Sequence, residues 1–332
     1  MPSTVETSLS AVAAARAAGD APVLADTLLR HADSLLHAGR WADASAAIDE
    51  ATGLQQARGD TREEARCLRL AATLQRLQGH LDVAKTRAHT ALQLAAGPID
   101  VDVRAAHAEL GEIALAQADP KTALEAFDLA LVGSINPPAA WSRGRAKAQV
   151  SMGRFAAAAE DLEAAARTLQ AGGHTSHALR AAVEAATAWQ QARRFDRAQL
   201  LVGAARPRAI ATGDAEALAG LGLLSATHAL EQRDGPAARR FASQAREHAL
   251  ASRSATPYIG AAIALSRIDE LAGDLPNAYA ALATGWATAG DLIGADLARS
   301  AFEPPLRGLQ ERCGVPAFSQ ARSAYERTRK PG

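Results

Sequence analysis

The sequence predicts an all-α fold, a solenoid of stacked helical hairpins. Three observations predict it: the residue composition, a motif that recurs at a nearly constant step, and two amphipathic segments within each step. Alanine is the commonest residue, and only 4% of the residues are aromatic. Alanine is the best helix former, and runs of β-branched and aromatic residues are absent, so helices are expected almost throughout.

A short motif that ends on alanine recurs seven times along the chain, as in GRWADA at 39–44 and GRFAAA at 153–158. The steps between the terminal alanines are 40, 39, 35, 40, 40 and 40 residues. These alanines are Ala44, Ala84, Ala123, Ala158, Ala198, Ala238 and Ala278. A period of this size is typical of helical repeat arrays, so the sequence predicts about seven repeats.

Each repeat contains two segments with helical periodicity. In the first repeat, apolar residues recur at steps of three and four residues until Gly39, a residue type that is favoured just past a helix end. The second segment begins with Trp41, which we expect to fill the turn. Because neither segment can bury its own apolar stripe, we expect the repeats to stack, with Ala32 and Ala44 where two helices touch.

The third repeat carries a family resemblance. Between 107 and 131 it contains Leu110-Gly111, Ala114, Ala123, Phe127 and Ala130. This arrangement resembles the tetratricopeptide repeat (TPR), which has Leu-Gly and Ala in its first helix and Ala, an aromatic residue and Ala in its second. The other repeats keep the alanines and weaken Leu-Gly, and the resemblance covers about residues 25–290. It implies a right-handed α-solenoid of about seven TPR-like helix-turn-helix repeats with helical caps.

The step of about 40 residues is longer than the usual TPR step of about 34 residues. In this respect the repeats are similar to the extended repeats in the C-terminal regions of MalT-like and LuxR-type regulators and signalling ATPases, where such arrays sense or recruit. The chain has no G-x-x-x-x-G-K-[ST] phosphate loop and no segment typical of a DNA-binding helix-turn-helix. The resemblance therefore implies a stand-alone array that regulates another molecule.

The predicted organisation has three parts. Residues 1–22 form an N-terminal capping helix, residues 23–290 form the repeat array, and residues 291–332 form C-terminal capping helices with a short tail. Terminal repeats need such caps because their outer apolar face would otherwise be exposed.

Two proline pairs indicate helix boundaries, because proline interrupts a helix interior and is tolerated in a first turn. We expect Pro137-Pro138 to end the second helix of the third repeat early. We also expect one helix at 291–303 and a new helix that begins at Pro304-Pro305.

Charge and cysteine content argue against several functions. The chain has 36 basic and 36 acidic residues, so nothing indicates a nucleic acid or an anionic membrane as the partner. Cys67 and Cys313 are far apart in sequence, which argues against a disulfide or metal framework. The N-terminus lacks the basic start of a signal peptide, and no apolar run approaches the roughly 20 residues that span a bilayer. We expect a soluble, cytoplasmic and, from the abundant alanine and arginine, bacterial protein.

No local motif predicts catalysis. His174 and His177 form the one close histidine pair, but a zinc site needs further ligands, so we interpret them as solvent-facing. GLGLL at 220–224 lacks the strand and the third glycine of a nucleotide-binding loop, and close helix packing explains it better. We predict a protein that is not an enzyme and has no cofactor or metal. An enzyme whose site is assembled between repeats stays a further alternative.

The remaining candidate residues form a surface. In TPR arrays the first helix of each repeat lines the concave face, and arginine suits forked hydrogen bonding to carboxylates or phosphates. By this register the inward-facing candidates are Arg66, Arg69, Thr73 and Arg76 in the second repeat, Arg143 and Lys147 in the fourth, and Arg180, Thr187 and Gln190 in the fifth. The hypothesis is that this groove binds an acidic or phosphorylated segment of a partner. The alternative is that these arginines pair with acidic neighbours and are simply solvated.

The leading functional hypothesis is a non-enzymatic protein-interaction scaffold or regulatory adaptor that docks a partner peptide or protein in the concave groove. The alternative is a sensor that binds a small molecule or a signalling peptide. The carboxylate clamp of chaperone-associated TPR arrays is not predicted, because its Lys and Asn positions hold Arg69, Thr73 and Glu109.

Overall fold

The computed structural model describes residues 4–95 and 100–329. Within these ranges the chain forms seventeen helices and no strand. The helices are α1 Thr4–Ala18, α2 Ala21–His37, α3 Trp41–Arg58, α4 Thr61–Leu77, α5 Leu81–Leu94, α6 Val101–Ala116, α7 Pro120–Leu131, α8 Ala139–Ser151, α9 Phe155–Ala171, α10 Thr175–Gln191, α11 Phe195–Thr212, α12 Ala215–Glu231, α13 Gly235–Ala251, α14 Ala255–Leu271, α15 Leu275–Ile293, α16 Ala295–Cys313 and α17 Val315–Arg329. The all-α prediction is confirmed.

Helices α2 to α15 supply the two helices of each of the seven predicted repeats. The even-numbered helices are the first helices of the repeats, and the odd-numbered helices are the second ones. All seven motif alanines lie in the first turn of a second helix, and each is 0% exposed. A side chain this small lets a neighbouring helix approach closely. The recurring alanine therefore specifies packing between helices, and the TPR-like solenoid is the fold class of the chain.

The turn inside each repeat contains one residue in the left-handed backbone conformation. Gly39, Gly79, Gly153 and Gly273 hold this position with φ between 71° and 83°. In the third, fifth and sixth repeats the position is held by Ala118, Arg193 and Arg233, with φ of 58° or 59°. Residues other than glycine rarely adopt this conformation. The turn is therefore defined by a backbone geometry that all seven repeats share, even where the residue is not glycine.

The chain divides into two compact units, Met1–Asp161 and Leu162–Gly332, with the boundary inside α9. The core of the first unit includes Leu35, Ile48 and Leu74, together with a second cluster around Phe127. The core of the second unit includes a cluster around Phe302, which is 0% exposed. The predicted division into caps and array at 22 and 290 stays a prediction.

Two local expectations for the first unit differ from the structure. Helix α7 ends at Leu131, six residues before Pro137, and Pro138 is the residue that precedes α8. The proline pair therefore introduces the next helix and does not end the previous one. Trp41, which was expected to fill the turn of the first repeat, is 41% exposed.

The expected helix break at Pro304-Pro305 is wrong, because α16 continues through both prolines to Cys313. Phe302 and Leu309, on either side of the prolines, are buried in the same apolar cluster. This shared burial holds the helix together across residues that cannot donate backbone hydrogen bonds. No helix within the described ranges combines the length and the apolar content that crossing a membrane requires.

Candidate functional site

The nine predicted groove residues all lie on first helices. Four lie on α4 and two on α8, in the first unit, and three lie on α10, in the second unit. Helices α4 and α12 each begin after an N-cap aspartate, and α12 is the first helix of the repeat that follows α10. Asp60 accepts a hydrogen bond from the backbone N–H of Glu63, and Asp214 accepts one from Ala217.

The arginines of α4 face carboxylates from its own helix and from both neighbouring first helices. Nη1 of Arg66 donates to the two carboxylate oxygens of Glu63 over 2.8 and 3.1 Å. The same guanidinium lies 3.9 Å from Asp26 on α2 and 3.7 Å from Asp102 on α6. The charge of Arg66 is therefore shared among three carboxylates.

Glu109 on α6 contacts two further predicted residues. Nε of Arg76 donates to Oε1 of Glu109 over 2.7 Å, and Oγ1 of Thr73 donates to Oε2 over 2.9 Å. The side chain of Glu109 is only 8% exposed. In the sequence, Glu109 was compared only with a position of the carboxylate clamp, and nothing there indicated a pair with Arg76. For Arg66 and Arg76, the alternative of pairing with acidic neighbours describes the structure.

Arg69 lies on the same face of α4. Its Nε is buried and has no hydrogen-bond partner. Burial lowers the pKa of the Arg69 guanidinium, and the charges of Glu109 and Asp33 act in the opposite direction. Because these carboxylates come from the helices on both sides, the face of α4 that carries Arg69 is not surrounded by positive charge alone.

On α8, Lys147 is exposed and Arg143 is partly exposed. The intervening Arg145 contacts two aspartates. Its Nη2 and Nε lie 2.5 and 2.7 Å from the carboxylate of Asp161, and its Nη1 lies 3.0 Å from Asp128. Hydrogen bonds to both aspartates raise the pKa of Arg145. Sequence reasoning did not single out Arg145, because it lies outside the expected inward-facing register.

The other three predicted residues line one groove. Arg180, Thr187 and Gln190 on α10 border a cavity of 640 Å³ that α12 and α14 complete. This volume lies within the range of binding pockets, about 300–1,000 Å³. The predicted residues of the fifth repeat are therefore brought together with residues of the sixth and seventh repeats that were not predicted.

Two glycines shape the floor of this groove. Gly220 and Gly260 stand 40 and 80 residues after Arg180, so they occupy its position in the next two repeats. A Cβ at Gly220 would lie 2.7 Å from Cγ1 of Val183, and one at Gly260 would lie 3.0 Å from Cδ1 of Leu223. Val183 of the fifth repeat and Leu223 of the sixth thus each lie against the backbone of a glycine in the next repeat. These contacts produce an apolar floor across three helices.

A neighbouring glycine has a different role. A Cβ at Gly222 would lie 3.0 Å from Cβ of Ala245 on α13, so this glycine allows close packing between the two helices of its repeat. The interpretation of GLGLL as a packing feature is confirmed for Gly222. The groove-lining role of Gly220 was not predicted, because it depends on the position of Val183 in another repeat.

Polar groups are distributed along the groove. Nη2 of Arg180 donates to Oε2 of Glu216 over 2.9 Å and joins α10 to α12, with side chains that are 54% and 48% exposed. Nε2 of Gln190 donates to the carbonyl oxygen of Leu224 over 2.7 Å. The hydroxyls of Thr187 and Thr227 donate to backbone carbonyls of their own helices, so their oxygens can still accept hydrogen bonds.

Among the described residues that line the groove, one is a cation and three are carboxylates. The cation is Arg180, and the carboxylates are Glu184, Asp214 and Glu216. Asp214 also serves as the N-cap of α12. The lining therefore includes three carboxylates that the search for arginines in first helices did not indicate.

Nothing in the described part of the chain assembles three or more histidine, cysteine, aspartate or glutamate side chains as a possible metal site. The rings of His174 and His177 lie 6.3 Å apart, edge to face. Cys67 is buried, which raises the pKa of its thiol, and Cys313 is half-buried.

Several solved structures have a similar fold. One is a signal transduction ATPase with numerous domains from Pyrococcus horikoshii that has a tetratricopeptide repeat sensor, with a TM-score of 0.62, 14% identity, and coverage of 84% of this chain and 44% of that one. A tetratricopeptide repeat protein from Parabacteroides merdae has a TM-score of 0.53 and 12% identity, covering 85% of this chain and 98% of that one. A Rap protein complexed with competence and sporulation factor has a TM-score of 0.56 and 12% identity, covering 91% and 86%.

No protein-family model and no curated protein sequence matches the chain. The structural neighbours define its class by fold: it is a TPR-like helical repeat protein. The more specific resemblance to MalT-like and LuxR-type regulators stays a prediction.

Proposed function

We propose that the protein is a non-enzymatic interaction module, a scaffold or regulatory adaptor, that docks a segment of a partner polypeptide in the groove formed by α10, α12 and α14. The observation that carries this proposal is the continuous apolar floor of Val183, Gly220, Leu223 and Gly260 on three successive first helices. An exposed apolar surface with polar groups at its border is typical of an interaction site.

The dimensions of the groove suit a short segment. Neighbouring helices pack about 10 Å apart, so three first helices extend over roughly 20 Å. An extended chain rises about 3.4 Å per residue, and roughly six residues would cross the groove. Gln190, Thr187 and Thr227 lie along this path, where their side chains can exchange hydrogen bonds with a peptide backbone.

Two of the structural neighbours support a signalling role. The ATPase from Pyrococcus horikoshii has a tetratricopeptide repeat sensor, and the Rap protein was solved in complex with competence and sporulation factor. Our proposal extends this use of a repeat array to the present chain. We place the module in the cytoplasm and expect no nucleic acid partner, since 36 basic residues balance 36 acidic ones.

The acidic or phosphorylated segment predicted from the sequence stays a second hypothesis about the partner's charge. Such a segment would have to replace Glu216 as the partner of Arg180. In the first unit it would have to replace Glu109 as the partner of Arg76. Lys147 is the predicted cation that would be reached most directly, because it is exposed on α8.

A small-molecule sensor is the second candidate function. The observation that favours it is the groove volume of 640 Å³, which also suits a small molecule. Thermal-shift measurements with separate peptide and metabolite pools distinguish the two candidates. A shift with peptides alone supports docking, and a shift with metabolites alone supports the sensor.

Site-specific photo-crosslinking tests the docking proposal directly. A photoreactive residue at position 227 lies in the groove, and one at position 212 on α11 is its control. Both threonines are exposed, and both hydroxyls donate to a backbone carbonyl four residues earlier. We expect polypeptide adducts at 227 and none at 212, and we expect Thr187→Trp, which fills the groove from α10, to abolish the adducts at 227 while Thr212→Trp leaves them intact. Equal adducts at both positions, or adducts that survive a blocked groove, contradict docking at this site.

A further inference from the structure

We propose a second interaction surface on α11 and α13, which binds an acidic segment of a partner polypeptide through Arg206 and Arg240 and packs Ile210 against apolar side chains of that segment. This surface lies apart from the groove, because none of the described groove-lining residues belongs to α11 or α13. The inference goes beyond the proposed function and does not depend on it.

The concentration of arginine on these two helices is the first argument. Residues 193–212 and 233–251, which we call the outer surface, comprise α11, α13 and the turn residues directly before them. They contain nine arginines and only three acidic residues, although the basic and acidic residues of the whole chain are equal in number. The outer surface is therefore a basic region of a neutral protein.

Most of these arginines have no acidic partner within the described ranges. Arg193 pairs with Glu231, and Arg239 pairs with Asp269. The other seven arginines form no ion pair with a described residue: Arg194, Arg197, Arg206, Arg208, Arg233, Arg240 and Arg246. Each of the seven is exposed or partly exposed. Their charges are therefore open to the carboxylates of a partner.

Two of these seven arginines meet at one aromatic ring, which is the second argument. The guanidinium carbon of Arg206 on α11 lies 5.7 Å from the centroid of the Phe241 ring, and that of Arg240 on α13 lies 5.1 Å from it. The negative face of an aromatic ring attracts such cations and fixes where they lie. The two positive charges repel each other, and a carboxylate that contacts both removes this repulsion.

The hydrogen bonds of Arg206 leave it able to bind such a carboxylate. Its Nη2 donates to the carbonyl oxygen of Leu221 over 3.2 Å and to Oγ of Ser225 over 2.8 Å. Its Nε and Nη1 donate to no described residue, so both can donate to a ligand. Burial lowers the pKa of the Arg206 guanidinium, and no carboxylate acts in the opposite direction. Neutral groups thus hold Arg206 in place without neutralising its charge.

The repeat extends this arrangement along the solenoid. Arg246 stands 40 residues after Arg206, so it occupies the same position in the next repeat. Because neighbouring helices pack about 10 Å apart, a single bound segment of several residues can contact both arginines. A segment with several carboxylates suits this surface better than one isolated acidic residue.

Exposed apolar side chains favour a polypeptide over other polyanions. Ile210 follows Arg206 by one helical turn and is 63% exposed, and Leu200 on the same helix is 72% exposed. A nucleic acid presents phosphates but no aliphatic side chains that would cover them. Two aliphatic side chains are too few to anchor helices in an anionic bilayer. A polypeptide that carries both acidic and apolar residues matches both features of the outer surface.

The experiment uses the full chain and four probes. The first is a pool of short synthetic peptides that combine aspartate and glutamate with leucine and isoleucine, and the second has serine in place of the apolar residues. The third is duplex DNA, and the fourth is vesicles of phosphatidylserine and phosphatidylcholine. Fluorescence anisotropy measures binding of the peptides and DNA, and co-sedimentation measures binding of the vesicles.

Two variants of the outer surface are compared with a matched control. Arg240→Gln removes an exposed charge that forms no hydrogen bond within the described part of the chain, and Ile210→Ser removes the apolar contact. Arg307→Gln is the control, because Arg307 is exposed on α16 and likewise forms no ion pair with a described residue. Circular dichroism and thermal melting confirm that each variant is folded. Thr187→Trp, which fills the groove, separates the two surfaces.

We expect the first peptide pool to bind most tightly. Arg240→Gln should weaken this binding about two- to fivefold, as for the loss of one exposed ion pair. Ile210→Ser should weaken it about fivefold through the loss of apolar burial. Neither Arg307→Gln nor Thr187→Trp should change it.

Tighter binding of the serine-containing peptides, the DNA or the vesicles overturns the inference, as does binding of none of the probes. Equal effects of Arg240→Gln and Arg307→Gln overturn the outer surface as the site. Loss of binding in Thr187→Trp would assign the acidic segment to the groove, which overturns this inference and leaves the proposed docking function intact. Dimerisation of the chain alone that Arg240→Gln abolishes, measured by analytical ultracentrifugation, would make a second copy the occupant and also overturns it.

Discussion

Nε of Arg76 donates to Oε1 of Glu109 over 2.7 Å and joins the first helices of the second and third repeats. Arg76 is 19% exposed and Glu109 is 8% exposed, so this ion pair lies largely away from water. Thr73 donates to the other carboxylate oxygen. Glu109 thus connects two helices whose contact residues are more than 30 residues apart in sequence.

Glu109→Ala should destabilise the protein strongly. The substitution leaves Arg76 largely buried without its partner, and breaking such a pair costs about 3 kcal/mol of the free energy of unfolding. Urea denaturation followed by circular dichroism measures the change. Glu112→Ala, on the same helix, is the control and should change stability by less than about 0.5 kcal/mol. Similar effects of the two substitutions would show that the Arg76–Glu109 pair is not the cause.

The ring of Phe127 makes Gly144 sensitive to substitution. Phe127 is 0% exposed, a Cβ at Gly111 would lie 2.8 Å from its ring, and a Cβ at Gly144 would overlap it. Gly144→Ala should therefore lower the free energy of unfolding by about 1–3 kcal/mol through overpacking. Gly53→Ala is the control, because nothing lies within 4 Å of its added Cβ. In this helix interior alanine should raise stability by up to about 1 kcal/mol. Thermal and urea unfolding compare the two variants, and a stabilising Gly144→Ala would contradict the packing.

Replacing Ala118 with glycine should raise the stability of the protein. Its φ of 58° places it in the left-handed region, at the turn position where Gly39 of the first repeat has φ of 71°. Ala118→Gly should stabilise the protein by about 1 kcal/mol, because glycine adopts this conformation without steric cost. Gly39→Ala is the reciprocal variant and should destabilise by a similar amount, since its Cβ meets nothing within 4 Å and only the backbone changes. Differential scanning calorimetry checks both, and shifts of the same sign would refute the explanation.

The repeat architecture could be predicted from the sequence because its signals are local and recur. Ala44 and its six counterparts are small for the same reason in every repeat, and Gly39 marks a turn that every repeat needs. Phe127 and Gly111 follow the TPR pattern closely enough to be identified from the third repeat alone. These features need no knowledge of which residues face each other across repeats.

The candidate site could be predicted only in part, because its chemistry depends on contacts between repeats. The register placed Arg76 and Arg180 on first helices, but the partners Glu109 and Glu216 lie 33 and 36 residues further on. Whether an arginine is available or paired depends on such distant residues. The floor of the groove likewise depends on Gly220, which is informative only once Val183 is known to lie against it.

The ion pair between α14 and α16 should make stability depend on pH in the acid range. Oε1 and Oε2 of Glu270 accept from Nε and Nη2 of Arg312 over 2.7 and 2.9 Å, and Arg267 lies 2.9 Å away. Hydrogen bonding to Arg312, with support from Arg267, holds the pKa of Glu270 below its ordinary value of 4.5. Because the unfolded chain binds the proton more readily, this stabilisation is complete above that value and is lost as the pH falls through the lowered pKa.

Arg312→Gln should therefore destabilise the protein near neutral pH by less than about 1 kcal/mol, since Arg312 is exposed. The difference from wild type should shrink as the pH falls from about 5 to about 3, because protonation removes the charge of Glu270 in both proteins. Thermal unfolding across this range measures the difference. Arg299→Gln on the same helix is the control, because its contact with Glu303 is long at 3.9 Å and exposed. A difference between wild type and Arg312→Gln that stays constant with pH would show that Arg312 stabilises α16 by packing and not through the charge of Glu270.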